Sequence, residues 1–303
     1  MPVRHQPILA LSAVALFTAA VLAAQDVPSN SAADPAPAQQ RALVDRAISS
    51  QHRNDLALDL YERVERTETR KNAADPQPLA VETARVFPAG TGTDRISLGH
   101  DAKPLNAAAY RRELQKLERA LAWTLENGRA QREAYEKVAK RRKERADFVD
   151  ATRTAFNYTW LGRESRNGRT LAKYRVDPNP GFRPTSRATG MLPKVRGVVW
   201  VDEASGYLAR IEAEIAEDIS FGGGVIAKVY KGGRFVMEQA EVAPDVWLPT
   251  LYQYDFEGRK FLFRYAVHTR TIVTGHRRVG PPKEALPIVR PELSNSSPLP
   301  SDP

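Results

Sequence analysis

No cysteine occurs in the 303 residues, which excludes disulfides, cysteine nucleophiles, thiolate metal sites and attachment through a lipidated N-terminal cysteine. Histidine is scarce: His5 lies in the N-terminal segment, and His52, His100, His268 and His276 form no HExxH or other metal-ligand spacing. No GxSxG elbow and no phosphate-binding loop is present, and Gly222-Gly223-Gly224 reads as a turn between strands. Glu212 and Glu214 share a strand face with Arg210, which makes them salt-bridging residues rather than a general acid and base. An enzyme has no foothold in this inventory, and no cofactor or metal is implied.

Long apolar runs are also missing, with one exception. Arg4 and His5 are followed by ILALSAVALFTAAVLAA, uncharged from Ile8 to Ala24, before the first acid at Asp26. A membrane span takes about 20 apolar residues, and this alanine-rich run is shorter and ends in small residues. It has the layout of a secretory signal peptide over 1–24, cleaved near Ala23 or Ala24. Export to the periplasm or the outside is the expectation, and the mature chain keeps 44 basic against 36 acidic residues, since Arg4 alone is lost among the charged groups.

Segment 25–38, rich in proline, alanine and serine, reads as a disordered linker. Residues 280–303, with seven prolines between 281 and 303, read as a disordered tail. One folded domain over 39–279 is expected between them. Leu43, Val44, Ala47 and Ile48 sit at helical spacing in a first helix over 39–54. Strands are expected over 59–70, 79–87 and 95–98. A helical insert at about 106–147 follows, with Asn106 as N-cap, Leu114, Leu117, Leu121 and Leu125 on one stripe, and a break at Asn127-Gly128. Its second half carries KRRKER at 140–145. Because the chain is exported, that run points to a solvated face, an envelope protein or an anionic surface rather than to nucleic acid.

From Ala155 the pattern turns to strands, with six short ones after residue 196 at the spacing of an antiparallel meander. Tyr207, Ala209, Ile211, Ala213 and Ile215 face one way, and Arg210, Glu212 and Glu214 the other. In the last hairpin Tyr252, Tyr254 and Phe256 share a face with Phe261, Phe263 and Tyr265, across an expected turn at Glu257-Gly258-Arg259-Lys260. Together with Trp200 and Trp247 as walls, these side chains form the candidate hydrophobic cavity.

The segments YERVERTE at 61–68 and GVVWVDEASGYLARIEAEI at 197–215, then WLPT at 247–250 with the aromatic hairpin, resemble the LolA/LolB/RseB-like family of exported bacterial proteins, including its uncharacterised outer-membrane lipoprotein-sorting-type members. The resemblance spans about two thirds of the chain. It implies an α+β fold: a strongly curved antiparallel half-barrel with helices on the concave side, here with a long helical insert. It implies a non-catalytic, monomeric carrier for a hydrophobic ligand such as a lipid, a lipoprotein acyl chain or an apolar peptide. The alternative is an envelope interaction or sensing module whose concavity is filled by its own helix. Two features depart from the family: no cysteine is available for a LolB-type anchor, and the basic insert is longer than a carrier needs.

Overall fold

A computed structural model of the chain describes residues 34–101, 103–221 and 226–294. Residues 1–24, read above as a signal peptide, most of the segment read as a linker, Gly222-Gly223-Gly224 and residues 295–303 lie outside them. Among the described residues no helix is long and apolar enough to cross a membrane.

The elements run α1 (Pro37–Leu58), β1 (Tyr61–Thr69), β2 (Ala80–Pro88), β3 (Thr93–His100), β4 (Lys103–Pro104), α2 (Ala107–Thr124), α3 (Arg129–Ala155), β5 (Phe156–Arg166) and β6 (Arg169–Pro178). After a 3₁₀ turn over Thr189–Lys194 come β7 (Val195–Asp202), β8 (Leu208–Ile215), β9 (Ile219–Phe221), β10 (Ala227–Val229), β11 (Arg234–Ala243), β12 (Val246–Lys260), β13 (Phe263–Arg278) and α4 (Pro282–Ser294). The fold is α+β, built on one open, curved, antiparallel sheet of 13 strands. Its order is β4-β3-β2-β1-β13-β12-β11-β8-β7-β6-β5, with β10 paired to β12 and β9 to β10. The first and last long strands are neighbours, so a contact such as Thr67 with Thr271 closes the chain on itself across 204 residues.

Direct pairing carries one face across the sheet: Tyr174, Val199, Ile211, Met237, Tyr252, Thr271 and Thr67 stand opposite one another in succession. Helix α1 lies on this concave side, where Leu43, Val44, Ala47 and Ile48 bury against Ala172, Tyr174 and Val201. Helix α3 packs against α1 through the ion pair of Arg153 with Asp45 and, at the residue that caps the end of α1, through Arg142–Asp59 at 2.8 Å.

Helix α2 begins where Asn106 Oδ1 accepts from the Ala109 N–H at 2.8 Å, and its stripe of Leu114, Leu117 and Leu121 is fully buried. These leucines do not plug the concave side. They meet Phe87 and Ile96, and Ile96 pairs with Arg85 and Arg85 with Val64 on the opposite face. Leu125 falls outside the stripe as the exposed C-cap.

The expected disordered tail is ordered over α4. Pro287 and Pro291 each remove a helical hydrogen bond. Ala285, Leu286 and Val289 bury against Phe87, Leu114 and Leu121 and offset that loss.

Candidate functional site

The aromatic hairpin is built as a row. Phe235 on β11 pairs with Tyr254 on β12, ring centroids 5.1 Å apart. Along β12, Tyr252 and Tyr254 stack at 6.3 Å, and Tyr254 meets Phe256 edge-on at 6.3 Å. Ile211 and Ala213 of β8 continue the surface through Met237 and Phe235. Two glycines make room for it. A Cβ at Gly258 would stand 2.9 Å from the Tyr265 ring, and one at Gly233 would stand 2.8 Å from Phe256 Cβ, so both positions accept hydrogen alone beneath the rings.

The row is on the concave side yet is not sealed by α1. Each of Phe235, Tyr252, Tyr254, Phe256 and Tyr265 is half-buried, while the side chains under α1 are buried. Burial pushes the Tyr252 and Tyr254 hydroxyls above the ordinary phenol value.

One end of the row is polar. The field of Arg63 bears on Tyr252 and that of Glu65 on both tyrosines, while Arg63 Nε donates to Glu65 Oε1 at 2.8 Å. Burial first, then the Arg63 charge, holds His276 below the usual imidazole value. Among the described residues, buried Arg63 Nη1 and His276 Nε2 have no hydrogen-bond partner. Asp55 of α1 also reaches Tyr252, and burial raises its carboxyl. Composition could not reveal this corner, because its members come from α1, β1 and β13.

The sequence-predicted residues divide into three groups. Tyr252, Tyr254, Phe256 and Tyr265 come together as expected on one face. Trp200 does not join them: it pairs with Arg210 on the other face, buried under Lys173 and Arg210, with its indole N–H donating to Glu164 at 2.8 Å. Trp247 stacks on Tyr207 at 5.7 Å in the same buried cluster as Trp200. Both tryptophans are core residues, set there by alternation: Trp200 is one residue from Val199, which faces α1. The expected turn at 257–260 is instead strand, and the chain reverses at Phe261-Leu262, so Phe261 and Phe263 project at the exposed tip of the hairpin.

Over β7, β8 and β11 the outer face carries a lattice of ion pairs, including Arg210 with Glu212 and Glu238, and Arg196 with Glu214 at 3.3 Å. His52 pairs with Asp150 at 3.0 Å and His268 with Asp255 at 3.4 Å, on different parts of the molecule. A further groove of about 570 Å³ runs between the start of α1, the end of α3 and β5, lined by Arg41, Val44, Asp45, Arg153, Tyr158 and Tyr174.

No protein-family model matches the chain, and no curated protein matches it. Among solved structures it is similar to a crystal structure described as that of an outer membrane lipoprotein-sorting protein domain from Vibrio parahaemolyticus. The two are 12% identical, the match covers 78% of this chain and 93% of that one, and the TM-score is 0.28.

Proposed function

We propose that this is an exported, non-catalytic binding protein that holds a hydrophobic ligand, such as a lipid, a lipoprotein acyl chain or an apolar peptide, on the concave face of its sheet. The carrying observation is the half-buried row Phe235, Tyr252, Tyr254 and Phe256, an apolar surface that α1 leaves partly uncovered. Water on such a surface is released when an alkyl chain covers it, at about 0.8 kcal/mol per CH₂. The polar corner supports an amphipathic ligand, because an anionic or hydrogen-bonding head group would satisfy Arg63 Nη1 and His276 Nε2.

Native mass spectrometry with lipid extraction, on protein purified from the producing cell's envelope, tests this directly. The expected result is a co-purifying amphiphile, together with saturable binding of an apolar fluorescent probe that the amphiphile displaces. No co-purifying lipid and no saturable probe binding would remove the carrier reading. A second reading, an envelope interaction or sensing module, is supported by α1, which fills the concavity beside Tyr174 and Val201. It becomes the better reading in that event.

A further inference from the structure

The hairpin tip carries an observation that ligand binding does not use. Three consecutive apolar residues stand in solvent there: Phe261 is 53% exposed, Leu262 90% and Phe263 79%, with Ile226, the residue before β10, at 50%. Single exposed apolar residues are ordinary, but four gathered at one apex are not. The turn is also conformationally costly. Phe261 has φ 53°, in a two-residue hairpin loop where glycine is the usual occupant, and its N–H is tied to Ile226 O at 2.9 Å. A large ring held in a backbone region that disfavours it points to use rather than to folding.

Directly behind the apex cations outnumber acids. Lys228 of β10 pairs with Arg259 of β12, and Arg259 with Arg264 of β13, so three cations stand side by side across three strands. Lys260 adds a fourth at the base of the turn. Like charges directly opposite each other in a sheet repel. Lys228 is offset by Asp218 at 2.6 Å, and Arg259 donates to Phe261 O at 3.2 Å, but within 258–264 there is no acid.

We propose that the β12–β13 tip inserts into the surface of an anionic lipid bilayer, with Phe261, Leu262 and Phe263 entering the acyl boundary and Lys228, Arg259, Lys260 and Arg264 resting on the head groups. An apolar cap above a basic collar is the arrangement that such an interface favours, since each part meets its complement at its own depth. The tip continues the same two strands that carry Tyr254, Phe256 and Tyr265, so the open row leads toward the membrane. The inference rests on the tip alone and survives if the concave face proves to hold no ligand.

The cysteine-free chain allows a clean test. Leu262→Cys in the full chain is labelled with an environment-sensitive fluorophore and mixed with vesicles of phosphatidylcholine alone or containing phosphatidylglycerol. Arg175→Cys, on the outer face of β6, serves as reference. The expected result is a blue shift and intensity gain at position 262 only, with phosphatidylglycerol vesicles, weakened by salt. Vesicle affinity should fall at least tenfold in Phe261→Gly/Phe263→Ser, while the thermal midpoint stays level or rises, since glycine relieves the turn. An unshifted probe at 262, equal shifts at 262 and 175, or unchanged affinity in the double variant each overturns the proposal. So does equal binding to phosphatidylcholine vesicles. A tip-dependent dimer, seen by ultracentrifugation without lipid and lost in the double variant, would also overturn it in favour of a second copy of the chain.

Discussion

Two neighbouring regions of this sheet, a closed wing at β1–β3 and an open one over β13, β12, β11 and β8, use their side chains in opposite ways. At the β1–β3 end, α2 and α4 close over the outer face and leave Phe87, Ile96, Leu114, Leu117 and Leu121 with almost no contact with water. In the middle of the sheet, over β13, β12, β11 and β8, an aromatic set on the inner face stays half-buried, and its hairpin ends in bare phenylalanines. The closed wing has spent its apolar surface on its own stability. The open wing has not, and surface left in that state is available to a ligand or a membrane.

Breaking the closed wing should give the largest effect. Arg85 is its ionic centre: it donates to Glu62 at 2.7 Å, to Tyr110 at 2.9 Å and to Glu292 of α4 at 2.7 Å, and it lies over Phe87. Burial works against its charge, but Glu292 and Glu62 more than offset this and hold the guanidinium charged. Arg85→Ala leaves Glu62 buried without its main partner, although Arg277 also reaches it. We expect about 3–5 kcal/mol of destabilisation, measured by urea unfolding, together with early release of the α4 amides in hydrogen exchange. A loss below 1 kcal/mol would mean that α4 is held by its apolar contacts alone.

A matched pair of truncations sharpens the contrast. Leu121→Ala empties a fully buried site and should lower stability by about 2–5 kcal/mol without changing probe binding per folded molecule. Tyr254→Ala removes a larger side chain from a half-exposed site, yet should lower stability by less than Leu121→Ala does and weaken apolar probe binding about tenfold. Equal stability losses would show that the aromatic row is an ordinary core.

Much of the closed wing was legible in the sequence, because helical spacing and a cap are local signals: Asn106 and the three leucines needed no partner to be read. The same holds for the alternation that separates Ile211 and Ala213 from Arg210 and Glu212. What depended on register between distant strands was not legible. Trp200 reads as a cavity wall until pairing places it beside Arg210 rather than beside Tyr254. Two local signals misled for opposite reasons. Polar EGRK has turn composition, but Glu257 and Arg259 are outward residues of a strand that runs on to Lys260. Prolines hid α4, although Ala285, Val289 and Leu293 recur at the four-residue spacing of a helix face. Turn chemistry and proline content report the local cost of a conformation, and in both places tertiary packing outweighed it.

The smallest expected effect lies in the open wing's polar corner and separates a ligand head group from a merely buried histidine. Burial and the Arg63 charge hold His276 below the usual imidazole value near 6.5. The unfolded chain therefore takes up a proton there before the folded one does. Stability at this site is complete above about pH 7 and declines as pH falls through about 6.5, ending at the lower folded pKa. Glu292 does not interfere, because its folded carboxyl is held below the usual range despite burial, by Arg85 and Arg277. Its contribution is present above about pH 4.3 and is lost only in stronger acid. Between pH 7.5 and 5.5, His276→Gln should thus lose less stability than the parent, by up to about 1 kcal/mol. An anionic amphiphile reverses the sign, since a bound carboxylate or phosphate beside the imidazole favours its protonated form. Fatty-acid affinity should then tighten as pH falls over the same range in the parent chain and stay level in His276→Gln, whereas an uncharged ligand of equal length gives no difference between the two.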